Sequence, residues 1–432
     1  MKKFLFVPIF TVLALFYTSA LHSQTQDLTP SGLFATDSEF PENYEVRKQM
    51  RETVFAPAGH VMNTRARIFY DRFADHRVFF QVKKNSEYFY LLFTNEKDYK
   101  FPLFSTGSYI IKRNRDDGRF VQVKIFIRND PGCFVRIFPN GDRATMNMFL
   151  YGTPVYRNIP IPRQFEELLT APFAEIMELT KNSVDWELIF TPSYTRGNND
   201  VHTMVEKIRE KLDRLRDRDD GAMNADGSFV SIEDLSAQDE WGFNCSGFAK
   251  WIADGVSVVL KDRYLDIEEL KVKHTALRGN RWSERYEDKR DPYFGLDWTR
   301  NIAMILGNRS HPEAADIRKV QFIEYIEDVG YPMDKLHLIL YLSAHEHPGR
   351  FYLGSINSDF GNDPVLRQHY HVVTLFPYFN DDGQFQVAVF ERNREASIDE
   401  LLKRYEQEYI HLVSISALPE FHLPPLPPSI EG

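Results

Sequence analysis

Trp241-Gly242-Phe243-Asn244-Cys245-Ser246-Gly247-Phe248-Ala249-Lys250-Trp251-Ile252 reads as a polar cap, one cysteine, and the first turns of a helix. A thiol at a helix entrance meets the positive end of the helix dipole and backbone N–H groups that lack helical partners. Both favour the thiolate, which is the nucleophilic form of cysteine. The same N–H groups suit a developing oxyanion. Cys245 is therefore the candidate nucleophile. The Cys245 backbone N–H and the Asn244 side chain are the candidate oxyanion donors, and Ser246 and Trp241 are candidate substrate-binding neighbours.

A cysteine nucleophile needs a base that takes its proton and returns it to the leaving group, and histidine suits this at neutral pH. His371 opens the strand-like run His371-Val372-Val373-Thr374-Leu375-Phe376. Asn380-Asp381-Asp382-Gly383 predicts a hairpin turn into Phe385-Gln386-Val387-Ala388-Val389-Phe390. Antiparallel return along that second strand brings Glu391 and Asn393 back beside His371, on one face by alternation. Either could orient the imidazole. Glu391 is preferred, because it is nearer the strand end and a carboxylate raises the base's pKa. His369, one pleat before His371, is the understudy on the same predicted face.

This order of residues resembles the papain-like fold, and in detail the NlpC/P60 branch of cysteine peptidases and amidases. The family has Asp-Cys-Ser-Gly plus an apolar residue at its helix start and His-Val-Gly at its strand start. Here the matching residues are Asn244-Cys245-Ser246-Gly247-Phe248 and His371-Val372-Val373. The resemblance covers residues 236–415 and implies acyl transfer through a thioester on a peptide or amide substrate, peptidoglycan among them. Three departures stand out. Asn244 replaces the family's acid, residues 256–335 must be an insertion, and the preferred third residue is Glu where the family usually has His, Asn or Gln.

Outward from this region the chain divides by composition. Met1-Lys2-Lys3, an apolar run from Phe4 to Tyr17 and Thr18-Ser19-Ala20 read as a secretory signal peptide over residues 1–20, which predicts a periplasmic or secreted protein. The apolar run is short for a membrane span of about 20 residues, so no span is expected after cleavage. A polar linker follows over 21–45. Residues 46–160 carry short β-branched and aromatic runs with turn signals and predict an antiparallel sandwich or barrel-like domain. Helical spacing over 161–235 predicts a connector. In 236–415, Leu336–Leu342 and Phe351–Ile356 read as further strands, and Ser397-Ile398-Asp399-Glu400 as a capping box opening a helix through Tyr409. Gly255 reads as the stop of the cysteine helix. The end, 416–432, is proline-rich. The expected class is therefore α+β.

The 432 residues carry a formal net charge of −10, with acids and bases interspersed. An acidic chain with no basic face is not expected to bind nucleic acid. Cys133 and Cys245 are the two cysteines. Cys133 reads as a structural strand residue, and a Cys133–Cys245 bridge is the alternative allowed by export. His345/His347 and His369/His371 could pair on zinc, but His345-Glu346-His347-Pro348-Gly349 reads as a turn, so no metal is expected. Asn224, Asp226, Gly227 and Glu233 fit a calcium loop whose first ligand position holds Ala222, so a plain turn is expected. Cys–His chemistry needs no cofactor. The leading reading is an exported thiol hydrolase. The alternative is a non-catalytic periplasmic or surface binding protein that keeps the same fold.

Overall fold

The computed structural model describes residues 40–72, 74–190, 196–274, 295–362 and 365–428. The predicted signal peptide, most of the predicted linker, and Trp282, Tyr286, Tyr293 and Phe294 lie outside the described residues. The class is mixed α+β. Short helices α1 (Tyr44–Gln49), α2 (Arg51–Phe55) and α3 (Ala58–Met62) precede eight strands. These are β1 (Arg67–Asp71), β2 (His76–Lys84), β3 (Tyr88–Asn95), β4 (Tyr109–Asn114), β5 (Phe120–Phe126), β6 (Phe134–Asn140), β7 (Arg143–Leu150) and β8 (Thr153–Ile161). They form one sheet in sequence order, every neighbour antiparallel. Among the described residues no ladder joins β8 to β1, so the expected sandwich or barrel is an open meander. Alternation builds it: along β7, Ala144, Met146, Met148 and Leu150 are buried while the residues between are not.

The connector is divided between two cores. Helices α4 (Phe165–Leu168), α5 (Phe173–Thr180) and α6 (Glu187–Phe190) pack into the core of the eight-stranded sheet. Helix α7 (Arg196–Arg209) packs with the downstream core. The small hairpin β9 (Ala222–Met223) and β10 (Phe229–Val230) follows. In its turn Asp226 accepts from the Ser228 N–H at 2.9 Å.

Helices α8 (Cys245–Lys261), α9 (Ile267–Leu270) and α10 (Leu296–Gly307) come next, then β11 (Tyr331–Pro332) and α11 (Leu336–Glu346). The chain closes with β12 (Arg350–Phe360), β13 (Leu366–Phe379), β14 (Phe385–Glu391), β15 (Arg394–Ala396), α12 (Ile398–Arg404) and β16 (Tyr409–Ser416). The second sheet runs β11-β16-β12-β13-β14-β15, all antiparallel. Trp251 of α8 and Trp298 of α10 pack with Phe351, Leu353, Val372 and Phe376 on one face. Leu336, Ile339 and Leu340 of α11 and Leu401 of α12 pack with Tyr352, Val373, Leu375 and Val389 on the other.

Three expectations are corrected here. Leu336–Leu342 is helix rather than strand. Leucine dominates the run, and the helix is buried on two sides, Leu338, Tyr341 and Leu342 reaching the first core while Leu336, Ile339 and Leu340 reach the second. The capping box at Ser397 is present, but its helix ends at Arg404, a turn follows, and β16 begins at Tyr409. Gly255 does not end α8, which runs on to Lys261. A Cβ there would sit 2.5 Å from Phe421 Cε2, so the glycine admits the chain terminus. The proline-rich end is docked: Phe421 is buried, and Trp251 Nε1 donates to the Pro424 carbonyl at 3.2 Å. Among the described residues no helix is long and apolar enough to cross a membrane.

Candidate functional site

Asn244 caps α8. Its backbone is extended, its Oδ1 accepts from the Gly247 N–H at 2.7 Å, and its Nδ2 faces the Asp219 carbonyl at 3.5 Å. The side chain expected to help hold the oxyanion thus also fixes the helix start, through its Oδ1. Gly247 is required by a close approach, since a Cβ would lie 1.9 Å from the Gly221 carbonyl oxygen. Cys245 is the first residue of α8 and is 2 % exposed.

Strand β13 brings His371 near enough to Cys245 for each to bias the other's ionisation. The β13–β14 ladder ends at Thr374–Phe390, and Arg392 then turns the chain with a left-handed backbone. Val372, next to His371 on β13, adds a backbone N–H that favours the Cys245 thiolate. His371 Nε2 meets Glu391 Oε2 at 3.0 Å. With Nε2–H donating to the carboxylate, Nδ1 is the nitrogen placed to take the thiol proton. Glu391 is 2 % exposed and is also held by Arg404 and, at 2.9 Å, by Arg394.

Electrostatics follow from these contacts. Burial pushes the Cys245 thiol up, but the His371 hydrogen bond and charge, the Val372 N–H and Arg392 outweigh it and leave it below its usual value. Burial pushes His371 down, and Cys245 and Glu391 override this, raising it to about 9. Burial also opposes ionisation of Glu391, yet His371 and Arg404 bring it down to about 2. Together these favour a thiolate–imidazolium pair backed by a carboxylate.

Other expected residues fall elsewhere. Trp241 packs on Phe229 with ring centroids 5.2 Å apart. Ser246 is fully buried and its carbonyl accepts from Trp298 Nε1 at 3.2 Å. Neither lines the cleft beside His371. Asn393 does line it, one turn past Glu391, and does not touch the imidazole. His369 is not on the face of His371. Across the ladder His371 pairs with Ile356 and His369 with Asn357, so Tyr370 is a bulge that reverses the face. His369 instead bonds Ser355 Oγ at 2.7 Å and the Asp328 carbonyl at 2.9 Å. Cys133 and Cys245 are free thiols in different cores. His345 lies in the last turn of α11 rather than on a strand, and among the described residues no three His, Cys, Asp or Glu side chains converge as a metal site.

The cleft encloses about 500 Å³ and is lined by Asp217, Tyr370, His371, Glu391, Asn393 and Tyr405 together with Arg392, Arg394 and Arg404. Sequence reasoning missed the arginines. Arg392-Asn393-Arg394 between a strand and a capping box was the available signal. The cleft reaches the imidazole and carboxylate, and the buried Cys245 is not part of its lining.

A family model described as a domain of unknown function (DUF8515) matches residues 36–188, the segment that carries β1–β8. The match stops before Cys245. No curated protein and no solved structure matches the chain.

Proposed function

We propose that the protein is a thiol hydrolase that cleaves an amide or peptide bond, with the resemblance to NlpC/P60 peptidases pointing to an exported enzyme acting on peptides such as those of the cell wall. The observation that carries this reading is the Cys245–His371–Glu391 chain at a helix N-terminus. Cys245 Sγ attacks the carbonyl carbon, and the Cys245 backbone N–H stabilises the oxyanion. The C–N bond breaks as His371 gives its proton to the leaving nitrogen. Water then hydrolyses the thioester, with His371 as base and Glu391 orienting the ring.

A second reading has its own support. Cys245 is nearly buried and absent from the cleft wall, as suits a binding protein that retains the fold. Alkylation of the full chain across pH 5–9 separates the two. An enzyme labels rapidly below the ordinary thiol pKa of about 8.5 and slows in His371→Ala. A binding protein labels slowly in both.

A further inference from the structure

We infer that the cleft beside His371 receives a leaving amine that bears a carboxylate, held by Arg392 in exchange for Asp217. The inference rests on the hydrolase reading and names its substrate class. In that chemistry His371 protonates the leaving nitrogen, so the leaving group must lie on the imidazole side of the sulfur. The cleft opens on that side, along His371, Glu391 and the turn between β14 and β15.

Its wall is cationic in a chain of net charge −10. Three guanidiniums and the His371 ring face only the carboxylates of Asp217 and Glu391. Glu391 is committed to His371, Arg394 and Arg404. Among the described residues Arg392 meets Asp217 alone, at 3.0 Å, both side chains about half exposed. A guanidinium has five donors in a fork that matches a carboxylate. Asn393, beside Arg392, has both side-chain polar atoms shielded from solvent and without a protein partner. Asp217 sits on a segment bridged to Phe243, two residues before Cys245. The Arg392–Asp217 pair therefore joins the turn after β14 to the approach to α8. A substrate carboxylate that replaced Asp217 on Arg392 would dock the leaving group next to the imidazole.

The test uses the full chain and four amides that share one acyl group. Their leaving amines form two matched pairs: glycine against glycinamide, and glutamate α-amide, which keeps its side-chain acid, against glutamic acid diamide, which has no carboxylate. The expected result is a kcat/KM at least about tenfold higher for a carboxylate-bearing amine, the low end for a charge-assisted hydrogen bond. Glycine favoured over glutamate amide would assign an α-carboxylate, and the reverse an acidic side chain. The preference should collapse in Arg392→Asn, which tolerates the left-handed backbone, and grow in Asp217→Asn. Equal rates for all amines, or a preference indifferent to both variants, would overturn the proposal. Calorimetric titration of Cys245→Ser with the same compounds gives an answer without turnover: no preference for the carboxylate overturns it. A sluggish Cys245 in the wild type would instead sink the hydrolase reading.

Discussion

Glu391 carries more of the site's charge arrangement than any other side chain. It is buried, yet it holds the ring that holds the thiol, and Arg404 and Arg394 keep it ionised. Glu391→Gln removes the charge and keeps the shape. His371 then loses a stabiliser of its protonated form, and its pKa drops from about 9 by about one unit or more. The alkaline limb of hydrolysis, where the imidazolium loses the proton it must donate, should move down with it in a pH–rate profile. The same groups link stability to pH. His371 is raised above its ordinary 6.5, so its contribution is complete below 6.5 and disappears as pH climbs through about 9. Glu391 is depressed below 4.5, so its contribution is complete above 4.5 and disappears toward about 2. The stability deficit of His371→Ala against wild type should peak between these limits, measured by thermal melts at stepped pH. Cys245, His371 and Glu391 were legible because helix entrance, strand start and antiparallel return each leave a local signature. The Tyr370 bulge was not, since an extra residue in one strand leaves no mark on alternation, and so His369 was placed on the wrong face.

Elements were legible where their own side chains decide them, and illegible where tertiary packing does. Strands β1–β5 and the β13–β14 hairpin follow from alternation and turn residues. The apolar run of α11 has no periodicity to read because both its sides are covered. Likewise Gly255 signalled a helix stop, whereas its real partner is Phe421 at the far end of the chain. Gly255→Ala should therefore act on the terminus rather than on α8. Overpacking of about 1–3 kcal/mol is expected, with the tail after Ala417 becoming sensitive to protease before the rest. Between α10 and β16 lies a buried ionic cluster. Arg300 bonds Asp316 at 2.9 and 2.7 Å and Asp328 at 3.1 Å, and His411 lies 3.3 Å from Asp316. Burial opposes the Asp316 charge, but His411 and Arg300 hold its carboxyl well below the usual range. Its stabilisation is present above the unfolded value near 3.8 and fades as pH falls. Asp316→Asn strands Arg300 without its main partner and should cost about 3–5 kcal/mol in urea unfolding at neutral pH. The deficit should narrow in acid.

At the scale of the molecule, α11 belongs to two cores at once, and this ties the eight-stranded sheet to the sheet that carries the site. Arg128, just past β5, donates to the Tyr341 hydroxyl at 2.9 Å, and that hydroxyl donates to the Leu188 carbonyl at 2.7 Å. Tyr151 stacks on His337 at 3.9 Å between centroids. Leu342 is fully buried in the first core, while Leu340, two residues earlier, is fully buried in the second. Removing either core would expose one side of α11, so neither sheet should unfold alone. Leu342→Ala tests this, because its cavity opens in the first core, away from Cys245. A loss of about 2–5 kcal/mol is expected. If the cores are coupled, hydrogen exchange in β13, which carries His371, should accelerate by the same free energy as exchange in β6 and β7. Exchange that quickened in β6 and β7 and left β13 unchanged would mean that the two sheets are independent units. In that case the site would owe its geometry to the second sheet alone.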